Sequence, residues 1–213
     1  EKNMCIICIK KKGVKFPTMK QVKNMANNNE HGFSVVVSQR NGKPKIMKTL
    51  NKAEFLNTYK YILEHSNYKD TTLFIHARIA THGSKKVENC HGWRSDGVVF
   101  AHNGILRIDN REDMTDSETF FRDIFIPAYR VGGWKLGERT IDAIIGTSKF
   151  VFMDATGEIH HYGNYIEDDG LLFSNDSYQD PIERWAQYQR FKYSAQPFAR
   201  TISGSWNDDD YVF

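Results

Sequence analysis

The residues of this sequence best suited to chemistry are a thiol, a guanidinium, a carboxamide with a neighbouring glycine, and a carboxylate. Each lies where an apolar run begins or ends: Cys5, Arg78, Asn103, Gly104 and Asp116. Polar residues in such places are typical of strands that deliver side chains to the rim of a pocket. A cation and a carboxylate would hold a small zwitterion, and amide donors would hold an oxyanion. A thiolate would supply the nucleophile.

Four sequence blocks follow Cys5 in an order that carries a family resemblance. They are His76-Ala-Arg-Ile-Ala-Thr-His-Gly83, Asn89-Cys-His91, His102-Asn-Gly104 and Thr115-Asp-Ser-Glu118. Their order and approximate spacing resemble those of the class II glutamine amidotransferases, a family of N-terminal nucleophile (Ntn) hydrolases. The resemblance covers residues 4 to about 180, and Phe173-Ser174-Asn175 is similar to the closing strands of that family.

The resemblance implies a glutamine amidotransferase or glutaminase that attacks the side-chain amide of glutamine through Cys5. The base would be the α-amino group of Cys5 itself, whose ordinary pKa of about 8 suits proton transfer near neutral pH. Asn103 and Gly104 would stabilise the tetrahedral oxyanion. The reaction would form a glutamyl thioester and ammonia, and water would then release glutamate. The ammonia would pass to a separate acceptor or to a partner synthetase.

Four residues would bind the substrate according to the same resemblance. Arg78 would hold the α-carboxylate with its planar guanidinium, and Asp116 would hold the α-ammonium. Thr81 and His82 would line the glutamine pocket. No cofactor and no metal is expected, because the spacing of the histidines and Cys90 in these blocks fits no standard zinc pattern.

The sequence departs from the family pattern at three places. Ile6 follows the candidate nucleophile where the family usually has glycine, and Gly92 follows the Asn-x-His turn where proline is usual. In addition, Met4 precedes Cys5, so the Cys5 nitrogen is an amide unless the chain is cut there. These departures keep two alternatives open. One is a hydrolase of γ-glutamyl amides, and the other is a catalytically silent Ntn-fold protein with a binding or structural role.

Apolar periodicity predicts strands that pair as antiparallel hairpins, with helices grouped between them. The predicted strands are 5–9, 33–38, 45–50, 71–75, 97–101, 150–153, 158–162 and 171–175. The predicted helices begin near Thr18, Asn51, Asp116 and Glu138, and Pro127 is expected to bend or break the third. Grouped elements of this kind favour an α+β fold over alternating βαβ units. The resemblance implies a four-layer αββα sandwich of two antiparallel sheets.

The composition bounds the class of protein. The chain has 213 residues, enough for one core, and residues 181–213 form an aromatic and charged C-terminal extension that is a candidate docking segment. A net charge of +3 with both signs interspersed does not favour a nucleic-acid surface. No apolar run approaches membrane-spanning length, and three sparse cysteines favour a reducing, cytoplasmic location. The sequence does not indicate an oligomeric state.

Several of these residues also have plainer interpretations. Arg78 and Asp116 would form a buried ion pair in an inactive protein, and Cys8 is expected to be a small core residue. His102 would fix the turn beside Asn103. His160 and His161 are expected at the surface of a hairpin, and Lys10-Lys11-Lys12 in a solvated turn.

Overall fold

The computed structural model of the chain describes residues 4–40, 42–80, 85–111 and 114–194. Within these ranges the strands are β1 (Ile6–Lys10), β2 (Phe33–Gln39), β3 (Lys45–Thr49), β4 (Thr71–Ala77), β5 (Trp93–Ser95), β6 (Val98–Asn103), β7 (Lys149–Met153), β8 (Ile159–Tyr162), β9 (Ile166–Asp168) and β10 (Leu171–Phe173). The α-helices are α1 (Met19–Asn28), α2 (Lys52–His65), α3 (Asp116–Thr119), α4 (Ile126–Ile144) and α5 (Pro181–Ser194).

The strands form two sheets in which the assigned strand pairs are antiparallel. One sheet has six strands in the order β3-β2-β4-β1-β10-β9, and the other has four in the order β5-β6-β7-β8. The first strand of the chain therefore lies inside its sheet, between β4 and β10. A strand covered on both faces needs apolar side chains on both, which is why β1 reads as a continuous apolar run.

Three clusters of buried side chains separate the layers of the fold. The cluster between the sheets takes side chains from both: Ile7, Ile9, Val36, Phe74, Val99, Ala101, Val151 and Met153. A second cluster joins the outer face of the six-stranded sheet to α1 and α2, and a third joins the four-stranded sheet to the helices after residue 116. The layers are thus helix, sheet, sheet and helix. This arrangement confirms the predicted α+β sandwich of two antiparallel sheets.

The first two helices begin at side-chain caps that the sequence signals. The Thr18 hydroxyl accepts a hydrogen bond from the Gln21 amide, and the Thr18 amide donates one to the Gln21 side-chain oxygen, which is a capping box. Asn51 caps α2 by accepting from the amides of Ala53 and Glu54. The Glu54 carboxylate bonds to the Thr49 hydroxyl at 2.5 Å instead of closing the box that its spacing suggests.

The third predicted helix is not broken at Pro127, which is a correction to the sequence analysis. Residues Phe120–Phe125 form a π-helical turn between α3 and α4, and Pro127 comes directly after this turn in a run of helical residues that begins at Asp116. The interruption lies at Gly132 and Gly133 instead, whose backbone angles are not helical. The predicted helix from Glu138 is therefore the second half of α4.

The expected environment of Lys10 is wrong, and two short strands were not predicted. Lys10 is fully buried at the end of β1, where its Nζ donates to the carbonyls of Tyr68 and Thr71, while Lys11 and Lys12 are exposed. Burial lowers the pKa of Lys10 to about 8. The strands β5 and β9 were not predicted, because three-residue strands are too short to show a period of two.

The chain divides into two compact units, Glu1–Asp180 and Pro181–Phe213. The first contains both sheets and the helices α1 to α4. The described part of the second is the single helix α5, on which Ile182, Trp185 and Tyr188 are each more than 60% exposed. Within the described ranges, no helix combines the length and the apolar character that a membrane crossing requires.

A pair of valine substitutions tests the layer between the sheets. Val151 is fully buried there, and Val131 on α4 is 83% exposed. We expect Val151→Ala to lower the free energy of unfolding by about 2–3 kcal/mol, the loss of two buried carbons plus a cavity. Val131→Ala should change it by about 0.5 kcal/mol or less, since alanine is also the better helix former. Denaturant unfolding measures both, and equal effects would contradict the layer assignment.

Candidate active site

The side chain of Cys5 lies at the entry to β1, at the edge where β4 ends. Ile6 pairs with Ala77, so the next position of the register places Cys5 opposite Arg78. Cys5 is partly exposed, and its Sγ is 3.5 Å from the Ile79 carbonyl oxygen. Ile6 is fully buried in the cluster that faces α1 and α2, so its side chain points away from this edge. The isoleucine that stands where the family pattern has glycine therefore packs in the core and does not occupy this edge.

Ser174 joins the strand of Cys5 to the opposite sheet. Its Oγ accepts a hydrogen bond from the Ile7 amide at 2.8 Å and another from the Asn103 side-chain nitrogen at 2.8 Å. Asn175, the next residue, donates from its side-chain nitrogen to the Cys5 carbonyl at 2.8 Å. Ile7 and Asn103 belong to different sheets. A single buried hydroxyl therefore fixes the distance between β1, the strand that follows Cys5, and the side-chain amide of Asn103.

The carboxamide of Asn103 retains hydrogen-bonding capacity. Asn103 is 1% exposed, and its Oδ1 has no hydrogen-bond partner among the described residues. Its side-chain nitrogen carries two N–H groups, and the bond to Ser174 uses one of them. One N–H donor and one acceptor of a buried amide are thus unassigned at the end of β6.

Gly104 adopts a backbone conformation that favours glycine. Its φ is +146°, and a Cβ added there would lie 2.2 Å from the Ser148 hydroxyl oxygen. A side chain at this position would therefore be strained and would also collide with Ser148. The preceding His102 is buried, and its Nδ1 is 2.7 Å from the Ser117 hydroxyl, in keeping with a histidine that fixes this turn.

Asp116 is anchored by the backbone around it. Its Oδ2 accepts from the Leu106 amide at 2.8 Å and its Oδ1 from the Ser117 amide at 2.7 Å. A carboxylate at the start of a helix is also favoured by the exposed N–H groups of the first turn. The Ser117 hydroxyl also donates to Oδ1 at 3.1 Å, so three of about four acceptor positions are used and one is left for a cation.

The charges of Arg78 and Asp116 both act on the Cys5 thiol. Burial is the largest influence and raises the pKa of Cys5; the Arg78 guanidinium opposes this rise, and the Asp116 carboxylate adds to it. Arg78 is itself buried, and its backbone is fixed by hydrogen bonds with Gly32 and His31. The thiol therefore lies within electrostatic range of both charges.

Three buried histidines form a column beside this edge. The rings of His76 and His91 stack at 3.9 Å between centroids, and His91 lies parallel to His102 at 6.3 Å. Burial lowers the pKa of His76 and His91 well below the usual range and that of His102 to about 4, so all three are neutral at pH 7. Rings stacked face to face do not direct their nitrogens at one ion. The column therefore packs as a set of aromatic rings.

Gly92 shows how this chain departs from the proline of the family pattern. Its φ is +97° and its amide donates to the Phe100 carbonyl at 2.9 Å. Proline has neither a positive φ nor an N–H, so it would fit neither feature. The turn after His91 is thus built for glycine.

Two of the predicted pocket residues, Thr81 and His82, lie outside the described residues. Sequence reasoning also missed three contacts at the site: the Ser174 hydroxyl, the Asn175 amide and the Ile79 carbonyl. Ser174 and Asn175 are the polar end of a predicted strand, so the same rule that singled out Asn103 would have found them.

Comparison with known proteins gives structural matches only. No protein-family model and no curated protein sequence matches the chain. The chain is similar to the glutamine phosphoribosylpyrophosphate amidotransferase of B. subtilis, in complex with ADP and GMP, with a TM-score of 0.49 and 14% identity over 80% of this chain and 41% of that one. The chain spans less than half of that amidotransferase.

A second similar structure is a glutamine aminotransferase class-II domain protein from Silicibacter pomeroyi. Its TM-score is 0.42 and its identity 16%, over 71% of this chain and 73% of that one. Both names fall in the class that the sequence blocks resemble.

The raised pKa of Cys5 predicts how fast its thiol is alkylated in the chain that retains Met4. Only the thiolate reacts, so its rate with iodoacetamide should rise about tenfold per pH unit from pH 7 to 9, without a plateau. Peptide mapping by mass spectrometry separates Cys5 from Cys8 and Cys90, which are buried and should react only on unfolding. N-acetylcysteine serves as the reference, and a plateau for Cys5 below about pH 8 would contradict the expected shift.

Proposed function

We propose that the chain is a cysteine-dependent glutamine amidotransferase domain that hydrolyses the side-chain amide of glutamine. The observation that carries the proposal is the register that sets Cys5 opposite Arg78, with Asn103 tied to the Cys5 strand through Ser174 and the Asp116 charge acting on the same thiol. A thiol, a cation, a carboxylate and an amide donor are the groups that a zwitterionic amide substrate requires. The order of the sequence blocks supports the same class.

In the proposed reaction, charge complementarity orients glutamine before any bond changes. Arg78 holds the α-carboxylate with paired N–H donors, and the remaining acceptor position of Asp116 takes the α-ammonium. Two opposite charges on the protein fix both ends of the zwitterion, which places the side-chain amide near the sulfur. Thr81 and His82 are proposed to line the rest of the pocket.

The chemical steps then use the thiol and the oxyanion donors. The Cys5 sulfur attacks the carboxamide carbon, and the carbonyl oxygen becomes an oxyanion held by the free Asn103 N–H and the Gly104 amide. The proton taken from the thiol is passed to the leaving nitrogen, so ammonia departs and a glutamyl thioester remains. Water attacks the thioester, releasing glutamate and restoring the thiol.

The base for these transfers is proposed to be the α-amino group of Cys5. That group exists only when the Met4–Cys5 bond is cut, because the Cys5 nitrogen is otherwise an amide. Burial raises the pKa of the Cys5 thiol, so an unassisted thiol would stay protonated near neutral pH. The active form is therefore the one in which Cys5 is the first residue.

The acceptor of the ammonia is proposed to be a separate acceptor or a partner synthetase. The exposed apolar residues of α5 are the candidate contact for it, and this role stays a prediction. Two alternatives to the main proposal are retained as outcomes of the experiment below: a γ-glutamyl amide hydrolase, and a silent protein in which Met4 remains attached.

The experiment compares two forms of the chain, one released from a fusion so that Cys5 is first and one that retains Met4. Each is treated with a glutamine analogue that carries a diazoketone in place of the amide. We expect one covalent adduct on the Cys5-first form, mapped to Cys5 by mass spectrometry, and none on the longer form or on Cys5→Ser. No adduct on a folded Cys5-first form would overturn the proposal.

Ammonia release then separates the substrates. Glutamine should be hydrolysed faster than γ-glutamyl amides that bear a larger group on the nitrogen. The reverse order would favour the γ-glutamyl hydrolase, and a folded form that releases no ammonia from any of them would favour the silent protein.

Asn103→Ala tests the oxyanion role in the Cys5-first form. Losing one donor of this kind lowers kcat by about 10²–10³-fold while KM changes little, because the oxyanion exists only in the transition state. Asn110→Ala, at an exposed position, is the matched control and should leave both constants unchanged. Steady-state ammonia release provides the measurement. A change confined to KM would contradict the assigned role.

A further inference from the structure

The turn between β7 and β8 holds one carboxylate in a fixed orientation. Oδ1 of Asp154 accepts hydrogen bonds from the Thr156 amide at 2.8 Å, the Thr156 hydroxyl at 2.7 Å and the Glu158 amide at 2.9 Å. The Oδ1 atom of Asp154 therefore fixes the positions of Thr156 and Glu158 in the turn. The other, Oδ2, faces the imidazole of His160 on β8.

The imidazole of His160 is also held in place, and its Nε2 has no hydrogen-bond partner among the described residues. The ring stacks on Trp134 of α4, with centroids 3.8 Å apart and planes 21° from parallel. Its Nε2 is shielded from solvent and bonds to no described residue, since Asp154 Oδ2 is 3.8 Å away, too far for a hydrogen bond. A shielded nitrogen without a partner is unfavourable, so a ligand that binds it would be stabilising. The side chain is 23% exposed, so His160 lies partly exposed on the hairpin.

Glu158 completes a group of three potential ligands. One ligand atom each of Asp154, Glu158 and His160 lies within 4.8 Å of the other two, and no other such group of three occurs among the described residues. Ligand atoms about 2.0–2.2 Å from a common ion are at most about 4 Å apart, so a small movement closes the group. Glu158 is exposed, and its side chain is free to make that movement.

We propose that Asp154, Glu158 and His160 bind a divalent transition-metal ion such as Zn²⁺. Imidazole nitrogen suits Zn²⁺ and its neighbours, whereas Mg²⁺ and Ca²⁺ prefer oxygen ligands throughout. The two carboxylates neutralise the charge of the ion. Three protein ligands leave at least one coordination position for water or for an external ligand, as in open zinc sites. The site does not depend on the function proposed above, and it revises the expectation that the chain has no metal site.

The test measures Zn²⁺ binding to the full chain by isothermal titration calorimetry at neutral pH. We expect one ion whose binding weakens by about 10–100-fold or more in His160→Gln and in Asp154→Asn, since disturbing even an outer-shell partner of a metal site costs that much. Asp154→Asn keeps the side-chain oxygen that the turn requires. His161→Gln is the matched control: its ring is the next on the same strand, contacts Tyr165 and should leave the affinity unchanged.

Two further measurements keep the result independent of folding. Saturating Zn²⁺ should raise the melting temperature of the unsubstituted chain but not that of His160→Gln, and Mg²⁺ should not compete. In the unsubstituted chain, Zn²⁺ should shift the NMR signals of the His160 ring nitrogens. The proposal is overturned if the unsubstituted chain binds no Zn²⁺, if binding survives in His160→Gln, or if the His160 signals do not move.

Discussion

The hydroxyl of Ser174 is the interaction on which the candidate active site depends. β10 ends at Phe173, and at the next residue the Ser174 amide donates to the Ile7 carbonyl at 2.9 Å while the Ile7 amide donates to the Ser174 hydroxyl. The same oxygen accepts from Asn103 in the other sheet. A single buried side chain thus satisfies a strand amide and sets the spacing between the sheets. A buried amide left without a partner would cost about 1–3 kcal/mol, which makes this arrangement hard to relax.

The topology explains why the polar residues meet at one edge. β1 runs antiparallel to β4, so the start of β1 and the end of β4 lie side by side, and the register sets Cys5 opposite Arg78. Asn103 ends β6 in the second sheet and reaches the same edge through Ser174. Away from this edge an apolar cluster with side chains from both sheets fills the space between them, and Arg94 of β5 donates to the Pro44 carbonyl beside β3. The polar groups therefore gather where the apolar layer ends, which is where a pocket can form.

The sequence predicted the α+β class and the positions of the polar residues because both follow from local patterns, whereas the four layers were implied by the family resemblance. Alternating or continuous apolar runs mark strands, and a polar residue at the end of such a run marks the rim. Buried Lys10 was missed because the carbonyls of Tyr68 and Thr71 that accept its bonds come from a distant segment. The helix continues through Pro127. This was not predicted, because the sequence pattern does not reveal the π-helical turn that comes before it. Thr81 and His82 stay predictions.

Burial has two opposing effects on the proposed chemistry. It lets the charges of Arg78 and Asp116 act strongly on a substrate, because screening by water is reduced. It also raises the pKa of the Cys5 thiol, so the nucleophile needs a base. The stacked histidines are poor candidates for that base: burial holds them neutral with a pKa far below 7, and His102 is already bonded to Ser117. A free α-amino group on Cys5 would stand beside the sulfur with a pKa of about 8, close to the value that such a transfer requires. Cutting the chain before Cys5 would therefore create the base that the raised pKa of the thiol makes necessary. That base would belong to the same residue as the thiol.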